Sequence, residues 1–252
     1  MMSRCGVQLF AGAPRRIVKP VCSPSQALTS ASTPLSDELE QPVSPPWLSP
    51  DPAGPRTQLH GRIDLITGPM FAGKTSELVR RVQLAQAAGK RVLVLKSSKD
   101  NRFGAISSLV THDGVQTPCL ASSSLQGVVD GHPEQYEAAD VIAIDEAQFF
   151  PPGDLLAFVV NAAEKDHKAV IASGLTIDFE RQQFGQLLNL VPMADTISQL
   201  SGRCYVHGCH RPSLFSMRLP HSVQLSEEQE LVGGAEMYQP ACRMHYLRHK
   251  KP

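Results

Sequence analysis

Arg62-Ile-Asp-Leu-Ile-Thr-Gly68-Pro-Met-Phe-Ala-Gly73-Lys74-Thr75 is the stretch on which the fold turns. Arg62 to Ile66 alternates and ends in apolar residues as a strand does, and a helical pattern begins at Lys74, with Leu78, Val82 and Ala85 on one face and Gly89 as its stop. Between them, Gly68 to Thr75 satisfies G-x-x-x-x-G-K-[ST], in the strand-to-helix context where that pattern binds phosphate. The glycines let the backbone wrap a phosphate with its N–H groups turned inward, and the helix N-terminus adds positive potential. Gly68, Pro69, Met70, Phe71, Ala72, Gly73, Lys74 and Thr75 are therefore candidate ATP-binding residues, with Lys74 on the β- and γ-phosphates and the Thr75 hydroxyl on Mg²⁺.

Downstream, Arg91-Val-Leu-Val-Leu-Lys96 reads as a second strand, which makes a right-handed βαβ unit and predicts a parallel sheet covered by helices. Val141-Ile-Ala-Ile144 and Ala169-Val-Ile-Ala172 are further short apolar runs of the buried-strand kind. Pro151-Pro152-Gly153 breaks the chain between them, and Asp154 is placed to cap a helix running to about Asp166. The expected class is α/β: a P-loop-type parallel sheet flanked by helices over residues 59–201, followed by a small C-terminal zinc-binding lobe over 202–252.

Apolar residues make up 42% of the 252, enough for a core, while Lys plus Arg equals Asp plus Glu at 24 each. That balance supplies no global basic field for a polynucleotide backbone, and no run reaches the ~18 apolar residues that span a bilayer. Residues 1–58 lack periodicity and contain Pro42, Pro45, Pro46, Pro50, Pro52 and Pro55, so they read as a disordered extension. Arg4, Arg15, Arg16 and Lys19 precede the first acid, Asp37, which is also the composition of a mitochondrial or plastid transit peptide. A plain tail, with the protein cytoplasmic, is the other reading.

A strand ending in acids forms the second half of a phosphate site, and Val141-Ile-Ala-Ile-Asp145-Glu146 supplies it. Asp145 is a candidate Mg²⁺ ligand with Thr75. Glu146 is the candidate catalytic carboxylate: it either polarises water, as in an ATPase, or accepts the proton of an acceptor hydroxyl, as in a small-molecule kinase. Towards the C-terminus, Cys204-x₄-Cys209 and Cys242-x₂-His245 form two ligand pairs suited to a closed tetrahedral Zn²⁺ site, with His207 or His210 as alternatives to Cys204. Such a site is structural and ties the lobe together.

Several ordered blocks, over about residues 61–247, resemble the thymidine kinases of the tetrameric cytosolic type. They are the Pro-Met-Phe interior of the phosphate loop, Ile144-Asp-Glu-Ala-Gln-Phe-Phe150, Lys96-Ser-Ser-Lys99-Asp100-Asn-Arg102, Thr111-His112-Asp113, Phe179-Glu-Arg181-Gln-Gln-Phe184-Gly185, Leu188-Asn-Leu-Val-Pro192 and Val232-Gly-Gly-Ala-Glu-Met-Tyr238. The resemblance implies an ATP-dependent thymidine 5′-kinase, assembled as a homotetramer, that yields dTMP and ADP in deoxynucleoside salvage. It implies Glu146 as the base for the 5′-hydroxyl, and Arg102 and Gln148 beside the ATP phosphates. It also implies a nucleoside pocket of Met70, Phe149, Leu175, Phe179, Phe184, Ser216 and Tyr238, with Val232, Gly233 and Gly234 reading the pyrimidine edge through their backbone. The chain departs from the family at Ala147 for Gly, Thr176 for Asp, Ser216 for Thr, Gln182-Gln183 for Lys-Pro, and in the four-residue spacing from Cys204 to Cys209. Ser216 and Thr176 sit where thymine recognition is tuned, so discrimination against deoxyuridine is expected to loosen; a methyl contact is worth about 1 kcal/mol.

Overall fold

The apolar runs become strands because each can be buried on both faces at once, and the parallel sheet they form is the frame of the protein. In the computed structural model, which describes residues 61–99, 108–110, 116–219 and 233–249, β1 (Arg62–Thr67), β2 (Val92–Ser97), β5 (Leu120–Ser122), β6 (Val141–Asp145), β7 (Ala169–Gly174) and β8 (Thr196–Gln199) form one sheet. The order is β5-β2-β6-β7-β1-β8, and every neighbouring pair runs parallel. All the described residues belong to one compact unit, Ser44–Pro252.

Helix α1 (Lys74–Ala87) leaves β1 and returns to β2 across the intervening β7 and β6. Its Leu78, Val82 and Ala85 pack with Ile66, Val94, Ala143 and Ile171 on one face of the sheet. Strand alternation sends Leu65, Leu95, Ile142, Ile144 and Ala172 to the other face. There they meet Leu125, Leu155, Phe158, Leu187 and Leu190, contributed by α2 (Leu125–Gly131), α4 (Asp154–Val160) and the 3₁₀ segment Leu187–Met193. The short α3 (Pro133–Ala138), with Pro133 at its first turn, leads into β6. A small antiparallel pair, β3 (Ser108–Val110) with β4 (Gln116–Pro118), precedes β5.

Two sequence expectations change on this face. The helix begun at Asp154 does not stay α-helical to Asp166; it opens into a π-helical turn at Asn161–Lys165, where the Asp166 N–H reaches back to the Asn161 carbonyl at 3.1 Å. Gly61 passes so near this turn that a β-carbon there would meet the Ala163 carbonyl oxygen at 1.8 Å. Asp154 also does not cap its own helix, which starts from Gly153 at φ 85°. Its carboxylate instead accepts from the Leu125 and Gln126 N–H groups at 2.6 and 3.1 Å, holding the start of α2 beside Ser124, the N-cap residue.

Beyond β8 the chain gives up the sheet for two small antiparallel pairs, β9 (Gly202–Arg203) with β10 (Pro212–Ser213) and β11 (Phe215–Arg218) with β12 (Tyr238–Ala241), closed by α5 (Arg243–His249). Phe215, Met217, Ala241 and Tyr246 give this region its own apolar centre. No helix among the described residues is long and apolar enough to cross a membrane.

Leu65 is fully buried in a central strand. Leu65→Ala is expected to cost about 2–5 kcal/mol through lost burial and the cavity left behind. Urea unfolding should give a lower midpoint at an unchanged slope.

Candidate active site

The carboxyl ends of β1, β6 and β7 meet at one edge of the sheet, and the polar groups gather there. Gly68 leaves β1 at φ 147°, with the Leu200 carbonyl so near that a β-carbon would meet its oxygen at 2.5 Å; only glycine fits. Gly73, at φ 81°, turns the loop into α1. Lys74 is buried and donates to the Pro69 carbonyl at 2.9 Å, so its ammonium lies across the mouth of its own loop. The Thr75 hydroxyl donates to Asp145 Oδ2 at 2.9 Å, because Asp145 ends β6 on the face that α1 covers. Burial first, and the neighbouring Glu146 charge second, push the Asp145 carboxyl up to about 6. A divalent cation at this spot would favour the ionised carboxylate and take oxygen ligands from both side chains.

Glu146 takes a left-handed backbone, φ 49° and ψ 45°, as the chain turns from β6 into the 3₁₀ turn Ala147–Phe149. Such a conformation is costly for a residue with a side chain, and it is held here by its surroundings. The Glu146 carboxylate accepts from Gln148 Nε2 at 2.6 Å, while Gln148 Oε1 accepts the Leu175 N–H at 2.9 Å. Gln148, expected beside the ATP phosphates, thus has its buried amide engaged by the carboxylate on one side and the β7 exit on the other.

Four residues expected to line a nucleoside pocket come together as one apolar cluster: Phe149, Leu175 and Phe184, with Met70 packed against them. The Phe149 and Phe184 rings meet edge to face at 5.6 Å. Phe179 lies nearby on the same loop, 6.4 Å from the Tyr238 ring, with the Arg218 guanidinium 5.0 Å above it. The loop that carries Phe179 and Phe184 is closed on itself. Asp178 Oδ1 accepts from the Glu180 and Gln182 N–H groups at 2.8 Å each, and the Phe184 N–H donates to the Thr176 carbonyl at 3.0 Å.

Ser216 is buried on β11, and its hydroxyl accepts the Met70 N–H at 2.9 Å, tying the C-terminal region to the phosphate loop. Gly233 and Gly234 open the turn that feeds β12, where the Met237 and Tyr238 N–H groups both donate to the Gly234 carbonyl at 3.0 Å. Arg102 and Val232 lie outside the described residues, as do Thr111-His112-Asp113.

Cys204, Cys209, Cys242 and His245 converge, with one ligand atom from each within 4.8 Å of all the others. His245 Nδ1 is 3.2 Å from Cys204 Sγ and 3.5 Å from Cys242 Sγ. A tetrahedral zinc with bonds of about 2.3 Å to sulfur and about 2.0 Å to nitrogen holds its ligand atoms about 3.5 Å apart, so the four residues fit that ion. Cys204, rather than His207 or His210, is the fourth member of this cluster, and His207 is exposed.

Two residues that sequence reading passed over also act on the site. Tyr246 is buried, and its hydroxyl donates to the Phe179 carbonyl at 2.6 Å, so α5 grips the loop at its tip. Arg181 stacks its guanidinium 5.3 Å above the Tyr246 ring from the same loop, at φ 68°. The available signal was a tyrosine immediately after the last metal ligand, an aromatic with a polar end that needs a partner when buried.

Comparison with known proteins agrees with this geometry. The thymidine kinase family model matches residues 61–246. The chain is 46% identical over 189 residues to a thymidine kinase of Oryza sativa subsp. japonica, covering 74% of this chain and 66% of that protein, just under two thirds of its length. It is 42% identical over 188 residues to thymidine kinase a of Arabidopsis thaliana, covering 74% of this chain and 75% of that protein. It is 37% identical over 195 residues to the cytosolic thymidine kinase of Bos taurus, covering 77% of this chain and 76% of that one. Among solved structures, a DNA replication initiation factor aligns at a TM-score of 0.36 and 14% identity, over 55% of this chain and 40% of that one, too loosely to bear on function. The chain belongs to the thymidine kinase family.

Proposed function

We propose that the protein transfers the γ-phosphate of Mg·ATP to the 5′-hydroxyl of thymidine, giving dTMP and ADP. The observation that carries this reading is the meeting, at one sheet edge, of the phosphate loop, the Thr75–Asp145 pair and Glu146, with an apolar, aromatic cluster of the character that suits a pyrimidine ring. The reaction is an in-line displacement. The backbone of residues 68–73 and Lys74 hold the phosphates, and Thr75 and Asp145 supply oxygen ligands to the magnesium of the nucleotide. Magnesium bound there neutralises charge on the transferring phosphoryl group. Met70, Phe149, Leu175 and Phe184 bury the base, Phe179 and Tyr238 flank it, and the turn at Gly233 and Gly234 offers backbone groups to its edge. Glu146 accepts the 5′-hydroxyl proton as the new P–O bond forms.

This reading is favoured over that of a P-loop ATPase by the match of residues 61–246 to the thymidine kinase family. A nucleotide-binding relative without turnover is disfavoured by the intact Lys74, Thr75, Asp145 and Glu146. In our reading residues 59–201 are the kinase core and 202–252 the zinc lobe, which is structural because four protein ligands leave no open position. We extend the tetramer implied by the family to this chain. The cytosolic name of the cattle relative supports a cytosolic enzyme, and the early arginines without acids support delivery to an organelle; sequencing the mature N-terminus from the protein's own cells decides between the two.

Glu146→Gln is expected to abolish phosphorylation while leaving ATP binding within about twofold, since the amide keeps the shape and loses the base. Near-normal turnover in a coupled ADP-release assay would defeat the assignment. The purified protein is expected to carry one zinc per chain by elemental analysis. Cys242→Ser should lose that zinc and weaken thymidine binding, because the lobe holds the nucleoside loop through Tyr246. Full zinc content in the serine variant would rule out the four-ligand site.

A further inference from the structure

We propose that Gln148 is a positioning residue that fixes the Glu146 carboxylate and fastens the nucleoside loop to it, so that base and pocket move as one body. The inference rests on the reading of Glu146 as the base. Gln148 is 2% exposed, and both ends of its amide are used: Nε2 donates to Glu146 Oε2 at 2.6 Å and Oε1 accepts the Leu175 N–H at 2.9 Å. The amide cannot be flipped, since that would set oxygen against carboxylate and NH₂ against N–H. The bond to a charged acceptor is of the stronger, shorter kind.

The packing around Gln148 is built for this bridge. A β-carbon on Gly174 would meet Gln148 Oε1 at 2.5 Å, so the end of β7 must be glycine for the amide to reach the next N–H. At the far end of the same loop, Gly185 sits at φ 63°, and a β-carbon there would meet the Gln148 carbonyl oxygen at 2.5 Å and its Cα at 2.6 Å. Both ends of the loop from Leu175 to Gly185 therefore rest on one residue, at its start through the side chain and at its end through the backbone. The next residue in sequence, Phe149, stacks on Phe184 from that loop. Glu146, in a left-handed backbone, needs an external partner to hold its carboxylate in one rotamer. Gln148 supplies one, and the loop that covers the nucleoside holds Gln148.

A double-mutant cycle in kcat tests this. Gln148→Met keeps the volume and removes both hydrogen bonds. It is expected to lower kcat by roughly 100-fold, as a misplaced catalytic group does, to raise KM for thymidine, and to leave KM for ATP within about twofold. Glu146→Asp keeps a carboxylate too short for the Gln148 amide to grip, so in that background Gln148→Met should cost less than about threefold. An equal loss in both backgrounds would overturn the proposal and leave Gln148 a structural residue. An unchanged kcat would overturn it too, and a rise in KM for ATP alone would make Gln148 a nucleotide contact. Should Gln148→Met not fold, Gln148→Asn, whose shorter amide cannot span both partners, carries the same cycle. Turnover by Glu146→Gln would sink the base assignment itself, a separate result.

Discussion

The 2.9 Å hydrogen bond from Thr75 to Asp145 joins the first turn of α1 to the end of β6, and the site is organised around it. It exists because α1 crosses β7 and β6 on its way from β1 to β2, so the first residues of the helix lie over the last residues of a strand two places away in the sheet. Parallel strands bring all their carboxyl ends to the same edge, and the acids that end β6 can only project there. The arrangement buries an anion, and the raised Asp145 carboxyl shows the cost: without a cation, burial favours the protonated form.

A second constraint comes from the C-terminal region, which has little sheet and a small core yet touches two loops of the site. Ser216 holds the phosphate loop at Met70, and Tyr246 holds the nucleoside loop at Phe179. Both residues belong to elements next to the Cys/His cluster: β11 pairs with β12, whose last residue precedes Cys242, and α5 contains His245. A region this small gains its rigidity from a metal more readily than from burial. A metal held by the cluster would fix the strand and helix that carry Ser216 and Tyr246.

The sheet and the phosphate loop were legible because their signals are local. Apolar runs bounded by breakers gave β1, β2, β6 and β7 within a residue or so, and the glycine positions of the loop follow from backbone geometry that no other residue meets. The edge strand β8, with Ile197 half exposed, and the short α2 and α3 carry weaker patterns and were not read. Asp154 shows why: a carboxylate near a helix start looks like a local cap, but a cap acts through space, and its N–H partners sit about thirty residues earlier in the chain. The residues of the pocket were reached through family likeness, and the reason is physical. Phe149, Leu175 and Phe184 have the composition of ordinary core, and only their packing with Met70 beside Glu146 separates them from it. Gln148 and Tyr246 were illegible in their roles because each acts on a backbone group set by the tertiary fold.

The departures from the family pattern at Thr176 and Ser216 turn out not to be independent. Thr176 and Ser216 line the same cavity, of about 50 Å³, together with Gly68, Pro69 and Leu200. The Ser216 hydroxyl is committed to Met70, so what serine lacks relative to threonine at that position is a methyl, not a hydrogen bond. Thr176 follows the Leu175 that Gln148 holds, and its carbonyl accepts the Phe184 N–H, so its place at the cavity is set by the loop. The cavity thus joins β11 to the start of the loop from Leu175 to Gly185, and a change of bulk at Ser216 or Thr176 is met by the other.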